Sequence, residues 1–147
     1  MTTLTLNQAS TIIDTALAHA RRAGFKPLCI VVLDPGGHML ALKREERASF
    51  SRPQIAAAKA ASCLGMGFGG REIARRAQAA PAFYDALASI LPQGFVPVPG
   101  GVLIRDAAGS LLGAAGVTGE SSDNDEACAV AGIHAAGLVA DTGAAAP

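Results

Sequence analysis

The spacing of apolar side chains along the chain predicts four helical blocks. In the first block, residues 5–23, apolar positions recur at the helical period, and Thr5 and Gln8 have the spacing of a capping box. Ser51 and Gln54 have the same spacing before the second block. The other blocks are alanine-rich stretches bounded by proline, glycine or capping residues. They cover 52–64, 71–90 (two short helices divided near Pro81) and 125–140.

Two β-rich runs lie between the helical blocks, and each folds back on itself. The first surrounds the turn at 34–37 and the second the turn at 106–109, both of the form Asp-x-x-Gly. Strands joined by tight turns pair antiparallel, and helices with one apolar stripe must cover a sheet face. The order helix, hairpin, helices, hairpin, helix therefore predicts an α+β domain with one antiparallel sheet of about four to six strands.

Length, charge and cysteine content narrow the function classes. A chain of 147 residues suits a single domain, which we expect to span 1–147. Twelve basic and twelve acidic residues cancel, which argues against binding to nucleic acid or to an anionic membrane. No apolar run approaches the ~18 residues of a membrane span, and no signal-peptide pattern opens the chain. Three cysteines without C-x-x-C spacing are expected to be buried apolar side chains, and the protein is expected to be cytoplasmic.

Several side chains could carry chemistry, and each also has a structural interpretation. His38 follows the first turn beside two glycines, where a histidine can ligate haem iron, move a proton or contact solvent. Arg44 leaves a strand within a charged cluster and could clamp a carboxylate. Lys59, isolated in an alanine-rich helix, either reaches water or offers its ammonium to an anion. His134 lies on an apolar helix face and is expected to be a core histidine.

Backbone groups could complete an anion site around the two basic side chains. Gly100 and Gly101 enter a strand, and paired glycines can point their N–H groups at an anion. Asp125 and Glu126 lie in the first turn of the last helix, where they suit its dipole and where Glu126 could also move protons. We therefore expect the lysine, the arginine, the two glycines and this helix start to face one shared anion site.

Seven segments occur along the chain in a recognisable order and span about residues 4–140. They are LTLNQAS, VVLDPGGHMLAL, Arg44, IAAAKAAS with Lys59, PVPGGVLI, GAAGVTG and DNDEACAVAG. Together they resemble the haem-degrading, GlcG-like and HbpS-like family, which is related to the C-terminal domain of PduO-type corrinoid adenosyltransferases. The chain departs from the family pattern in EERA after Arg44 and in GMGFGG after the Lys59 helix.

The resemblance implies a five-stranded antiparallel sheet flanked by helices, a profilin-like sandwich with the order α-ββ-α(α)-ββ(β)-α. It also implies homo-oligomers that bind haem or a related tetrapyrrole, with a role accessory to small-acid metabolism. In that interpretation His38 is the iron ligand, and Arg44 and Lys59 hold the propionates.

Two other functions stay open at this point. One is a small cytoplasmic enzyme, of hydrolase or isomerase type, that acts on a carboxylated metabolite. There His38 or Glu126 would move protons, and the amides of Gly100 and Gly101 would stabilise an oxyanion. The other is an oligomeric accessory protein without catalysis.

Overall fold

The computed structural model describes residues 2–145, so Met1, Ala146 and Pro147 of the expected domain lie outside the described residues. This range forms five helices and five strands. The helices are α1 (Leu6–Ala23), α2 (Arg52–Met66), α3 (Gly70–Ala79), α4 (Pro81–Leu87) and α5 (Ser122–Ala135). The strands are β1 (Cys29–Leu33), β2 (Met39–Arg44), β3 (Gly101–Arg105), β4 (Leu111–Thr118) and β5 (Val139–Asp141).

The strands form one sheet in the order β2-β1-β4-β3-β5, and every neighbouring pair is antiparallel. The predicted α+β class and five-stranded sheet are therefore confirmed. Helices α1 and α5 pack against one face of the sheet, where the strands present residues such as Ile30, Val32 and Val117. Helices α2, α3 and α4 cover the other face, against residues such as Val31 and Leu103. Both faces are buried, so β1 is buried at every position.

Helix α2 lies unusually close to the sheet, because two strand glycines leave room for its backbone. A Cβ at Gly116 would lie 2.0 Å from the carbonyl oxygen of Ala56, and a Cβ at Gly101 would lie 2.4 Å from that of Lys59. Either methyl group would overlap a helix carbonyl, so these positions require glycine. This close approach places the middle of α2 directly over the junction of β3 and β4.

The chain after α5 differs from the prediction of a helix over 125–140. The helix ends at Ala135, and Gly137 adopts a left-handed φ of 76° that turns the chain. Val139–Asp141 then pairs with β3 at the sheet edge. The fifth strand thus follows the last helix, whereas the expected order placed it before that helix.

Some of the local predictions are confirmed and others are wrong. Thr5 and Gln8 form the predicted capping box. Ser51 already has helical dihedral angles and makes no capping hydrogen bond, so the second predicted box is wrong. Ser121 caps α5, since its side chain accepts a hydrogen bond from the backbone N–H of Asn124. His134 is exposed, so its expected core position is wrong; the expectation that Cys29, Cys63 and Cys128 are buried free thiols is confirmed.

None of the helices within residues 2–145 is both long enough and apolar enough to cross a membrane.

Candidate functional site

The Lys59 side chain runs through the protein interior to an acidic partner. Lys59 is only 3% exposed, and its ammonium donates to the carbonyl oxygen of Val117 and to Oδ2 of Asp125, both at 3.0 Å. Asp125 is 1% exposed, and its Oδ1 accepts a hydrogen bond from the backbone N–H of Glu120 at 3.0 Å. Both carboxylate oxygens therefore have partners. The ion pair joins α2 to the first turn of α5 past the end of β4.

Gly100 and Gly101 make room for this lysine. Gly100 has a φ of +116°, and a Cβ there would lie 2.8 Å from Lys59 Nζ and 2.8 Å from the Val117 carbonyl oxygen. Three predicted site residues, together with Gly101 beneath the helix, thus converge as expected: Lys59, Gly100 and Asp125. The anion that contacts Lys59 in this arrangement is the chain's own carboxylate. A ligand-binding role for these residues stays a prediction.

The environment of Asp125 shifts its titration. Burial raises the pKa of the Asp125 carboxyl above its ordinary value, while the Lys59 ammonium and the Glu120 N–H act in the opposite direction. The charge of Arg52 also favours the ionised form. A buried carboxylate of this kind depends on its positive partner to stay charged.

Sequence reasoning missed Arg52 as part of this junction. Its guanidinium Nη1 donates to Thr118 Oγ1 at 2.8 Å, at the end of β4. Arg52, Ala56 and Lys59 are spaced i, i+4 and i+7, so they lie on one face of α2. That spacing was the available signal, and it indicates that both basic side chains point toward the sheet.

Two other predicted residues already have partners within the chain. Arg44 ends the edge strand β2, and its Nη1 donates to the carbonyl oxygens of Ala48 (3.0 Å) and Glu45 (3.2 Å). Glu126 accepts hydrogen bonds from Arg71, with the Nε of that arginine 3.0 Å from Oε2. Neither side chain joins the buried pair of Lys59 and Asp125 through a hydrogen bond or ion pair within the described residues.

His38 lies at the other end of the sheet, in the open. Strand β1 pairs Cys29 with Thr118 and Leu33 with Ala114, so the turn after Leu33 is opposite the α5 end. A cleft of about 620 Å³ is lined by this turn, by α2 and by the loop before β3. Its lining residues are Leu33, Gly37, His38, Met39, Gln54, Ala57, Pro92 and Gln93.

A smaller cavity of about 200 Å³ continues the cleft along α2. It shares Gly37, Pro92 and Gln93 with the first and extends to Ala61, Leu64 and Leu91. We call the two together the His38 cleft. The larger cavity alone is within the range of small-molecule sites, roughly 300–1,000 Å³.

Local hydrogen bonds hold His38 at the rim of this cleft. Asp34 Oδ1 accepts from the backbone N–H of Gly36 at 2.9 Å and from that of His38 at 3.0 Å. A Cβ at Gly36 would lie 3.4 Å from His38 Nε2, so glycine leaves the imidazole uncrowded. The Gln93 side chain donates to the Gly37 carbonyl oxygen at 2.8 Å and ties the loop to the turn. The result is an exposed imidazole on a fixed backbone.

The lining of the cleft offers apolar contact and one side chain that can bind a metal. Its lining combines one imidazole and two side-chain amides with aliphatic groups, and none of the lining residues is charged. Imidazole is a ligand for haem iron. Within residues 2–145, no three His, Cys, Asp or Glu side chains cluster closely enough to hold a free metal ion.

Known proteins share this fold. A heme complex of PduOC superposes with a TM-score of 0.83 at 23% identity, over 96% of this chain and 99% of that chain. ORFY from Klebsiella pneumoniae, of family DUF336, gives 0.82 at 25% identity over 93% and 92%. A double mutant of HbpS from Streptomyces reticuli gives 0.77 at 27% identity over 91% and 87%.

No curated protein matches the chain. A family model, however, identifies its family. The model of the family described as haem degrading protein HbpS-like matches residues 4–134, which is most of the sequence. The matched region contains both the His38 cleft and the buried pair of Lys59 and Asp125. The chain belongs to the HbpS-like family.

Proposed function

We propose that this protein binds haem or a related tetrapyrrole in the His38 cleft, as an accessory protein. The observation that carries the proposal is the exposed imidazole at the rim of an open, uncharged and mostly aliphatic cleft. Membership of the HbpS-like family and a fold shared with the heme complex of PduOC support it.

Each part of the cleft has a role in this proposal. His38 would ligate the iron, and Asp34 positions His38 by accepting the hydrogen bond from the backbone N–H of that residue. Leu33, Met39 and Ala57 supply apolar contact to the macrocycle. When bound, haem supplies an iron centre that can bind small ligands or change oxidation state. The chain's own contribution would be to hold the imidazole and to supply apolar contact from the lining of the cleft.

The enzymatic interpretation has less support. His38 and the start of α5 lie at opposite ends of β1, so Glu126 does not share the cleft. The Glu126 carboxylate is also occupied by Arg71. A role in small-acid metabolism and a cytoplasmic location stay predictions.

Hemin titration tests the proposal. Adding hemin to the wild-type protein should produce a saturable Soret band, and His38→Ala should alter the band and weaken binding at least about tenfold, as the loss of metal-site groups usually does. His134→Ala is the matched control, because His134 is exposed on α5 and outside the cleft. No saturable band in the wild type, or identical titrations for wild type and His38→Ala, would refute the proposal.

We also propose that the protein self-associates. Several large apolar side chains are exposed, among them Phe50 at 90%, Ile90 at 70% and Leu6 at 61%. Packing such side chains against a second copy of the chain would remove their apolar surface from water. Sedimentation at micromolar concentration should show a species heavier than 14.7 kDa, and a 14.7 kDa monomer would contradict this proposal.

A further inference from the structure

We propose that the His38 cleft recognises the metal centre and the apolar face of its ligand, and leaves the ligand's carboxylates in solvent. This inference rests on the proposed function, and it names the kind of ligand that the cleft selects. Tetrapyrroles with free acid groups and those with esterified groups should then bind about equally well.

The first support is the position of the two side chains expected to hold propionates. Arg44 is five residues along β2 from Met39, which places it about 17 Å from the cleft end of that strand. Lys59 follows Ala57 by two positions, so it projects from a different side of α2, about 200° around the helix axis. Its ammonium is also already bound to Asp125. Neither cation lines the cleft.

The second support is the charge beside His38. None of the lining residues is charged, and the carboxylate of Asp34 lies in the same turn, bonded to the backbone of His38. A negative charge there attracts a ferric centre, which is cationic within its macrocycle, and repels carboxylates. The electrostatics of the turn therefore favour the metal over the acid groups.

The effect of esterification on affinity distinguishes carboxylates in solvent from propionates bound to the protein. A carboxylate held by lysine or arginine in a partly dry site contributes about 10- to 150-fold in affinity, and esterification would remove that contribution. Carboxylates that stay in water make no such contribution. Salt should change the affinities of the acid and ester forms by about the same factor, because carboxylates in solvent form no charge pair with the protein that screening could weaken.

The experiment compares hemin, hemin dimethyl ester and metal-free protoporphyrin, titrated under one solvent condition at low and high sodium chloride. We expect the two hemins to bind within about threefold of each other. We expect metal-free protoporphyrin to bind more weakly, with that difference lost in His38→Ala. Arg44→Gln should bind both hemins like the wild type.

Two results have different meanings. If hemin binds with dependence on His38 but its dimethyl ester binds at least tenfold more weakly, the present inference is wrong and the proposed function stands. A loss of that preference in Arg44→Gln would then identify the arginine as the partner. If hemin binding does not depend on His38, the proposed function itself is wrong.

Discussion

Replacing Lys59 with methionine should destabilise this protein far more than the same replacement at an exposed lysine. Lys59 and Asp125 form a buried pair, with side chains 4% and 1% exposed. Removing the ammonium leaves the Asp125 carboxylate in the interior without its positive partner. Breaking a buried pair in this way costs about 3–5 kcal/mol, a large fraction of a total stability of about 5–15 kcal/mol.

The matched control is Lys43→Met. Lys43 pairs with Asp14 at 2.7 Å, but both side chains are 57% exposed, so we expect a cost of about 0–1 kcal/mol. Unfolding in urea should be followed by circular dichroism, because the chain has no tryptophan and one tyrosine. With a slope of about 2 kcal/mol per molar urea, Lys59→Met should lower the midpoint by about 2 M.

A second substitution should restore most of the loss. In the double variant Lys59→Met, Asp125→Asn, the buried charge is gone, and the asparagine oxygen can still accept from the Glu120 N–H. Replacing both members of a buried pair is often nearly neutral. If Lys59→Met costs no more than Lys43→Met, or if the double variant is as unstable as the single one, Lys59 does not stabilise the fold by neutralising a buried Asp125.

The cost of Lys59→Met should also depend on pH. Burial raises the folded-state pKa of Asp125, and Lys59 opposes that shift, so its removal raises the pKa further. Between the unfolded value of about 3.9 and the raised folded value, the folded state binds the additional proton. Stability is therefore gained as the pH falls through this window and lost as it rises. The deficit should be smaller at pH 5 than at pH 7, and the double variant should not show this difference.

The same variant tests whether Lys59 binds a ligand. Below its unfolding transition, Lys59→Met should bind hemin as tightly as the wild type, because the ammonium lies outside the His38 cleft. A tenfold loss of affinity in the folded variant would instead support the anion-binding role expected from the sequence.

Gly116→Ala should destabilise the fold by at least about 1–3 kcal/mol, because its methyl group would lie 2.0 Å from the Ala56 carbonyl oxygen. The measurement is the urea midpoint, and an unchanged midpoint would contradict the close packing of α2. Ser121→Ala should cost about 1 kcal/mol by the same measurement, since Ser121 caps α5, whereas Ser51→Ala should change the midpoint little. Equal effects of the two serine substitutions would be evidence against this assignment of caps. Burial raises the pKa of the Cys29 and Cys128 thiols from 9.0 to about 11, and that of the Cys63 thiol to about 12. The folded state therefore keeps protons that unfolded thiols release above pH 9. Stability should then fall by about 1.4 kcal/mol per pH unit for each thiol between pH 9 and 11, and a thiol reagent should react at pH 8 only after unfolding.

Most of the fold could be predicted because each element carries its own local signal. The capping box at Thr5, the two Asp-x-x-Gly turns and the helical periods are all properties of short segments. Strand β5 has three residues, which is too short for a period, and it exists because Gly137 ends α5 and the following residues reach β3. The second capping box failed because Ser51 already has helical dihedral angles.

The site was predictable only where its contacts are local. His38 is held by Asp34, four residues earlier, and freed by Gly36, so the turn sequence was enough to single it out. For Lys59, the sequence showed correctly that an isolated charge in an alanine-rich helix is unusual. Whether it faces a ligand or an internal carboxylate depends on Asp125, which is 66 positions away. No local pattern contains that information.

Helix α2 packs on the sheet with one face and lines the His38 cleft with the other. Ala56 and Lys59 face the sheet, where strand glycines bring the helix backbone into contact. Ala57 and Ala61 face the His38 cleft, where small side chains keep the space open. The alanines of α2 therefore have two roles: close packing on the sheet face and open space on the cleft face. A larger side chain on the sheet side would push the helix from its place and weaken the fold. One on the cleft side would fill the site, so the same type of substitution would affect binding while the fold persists.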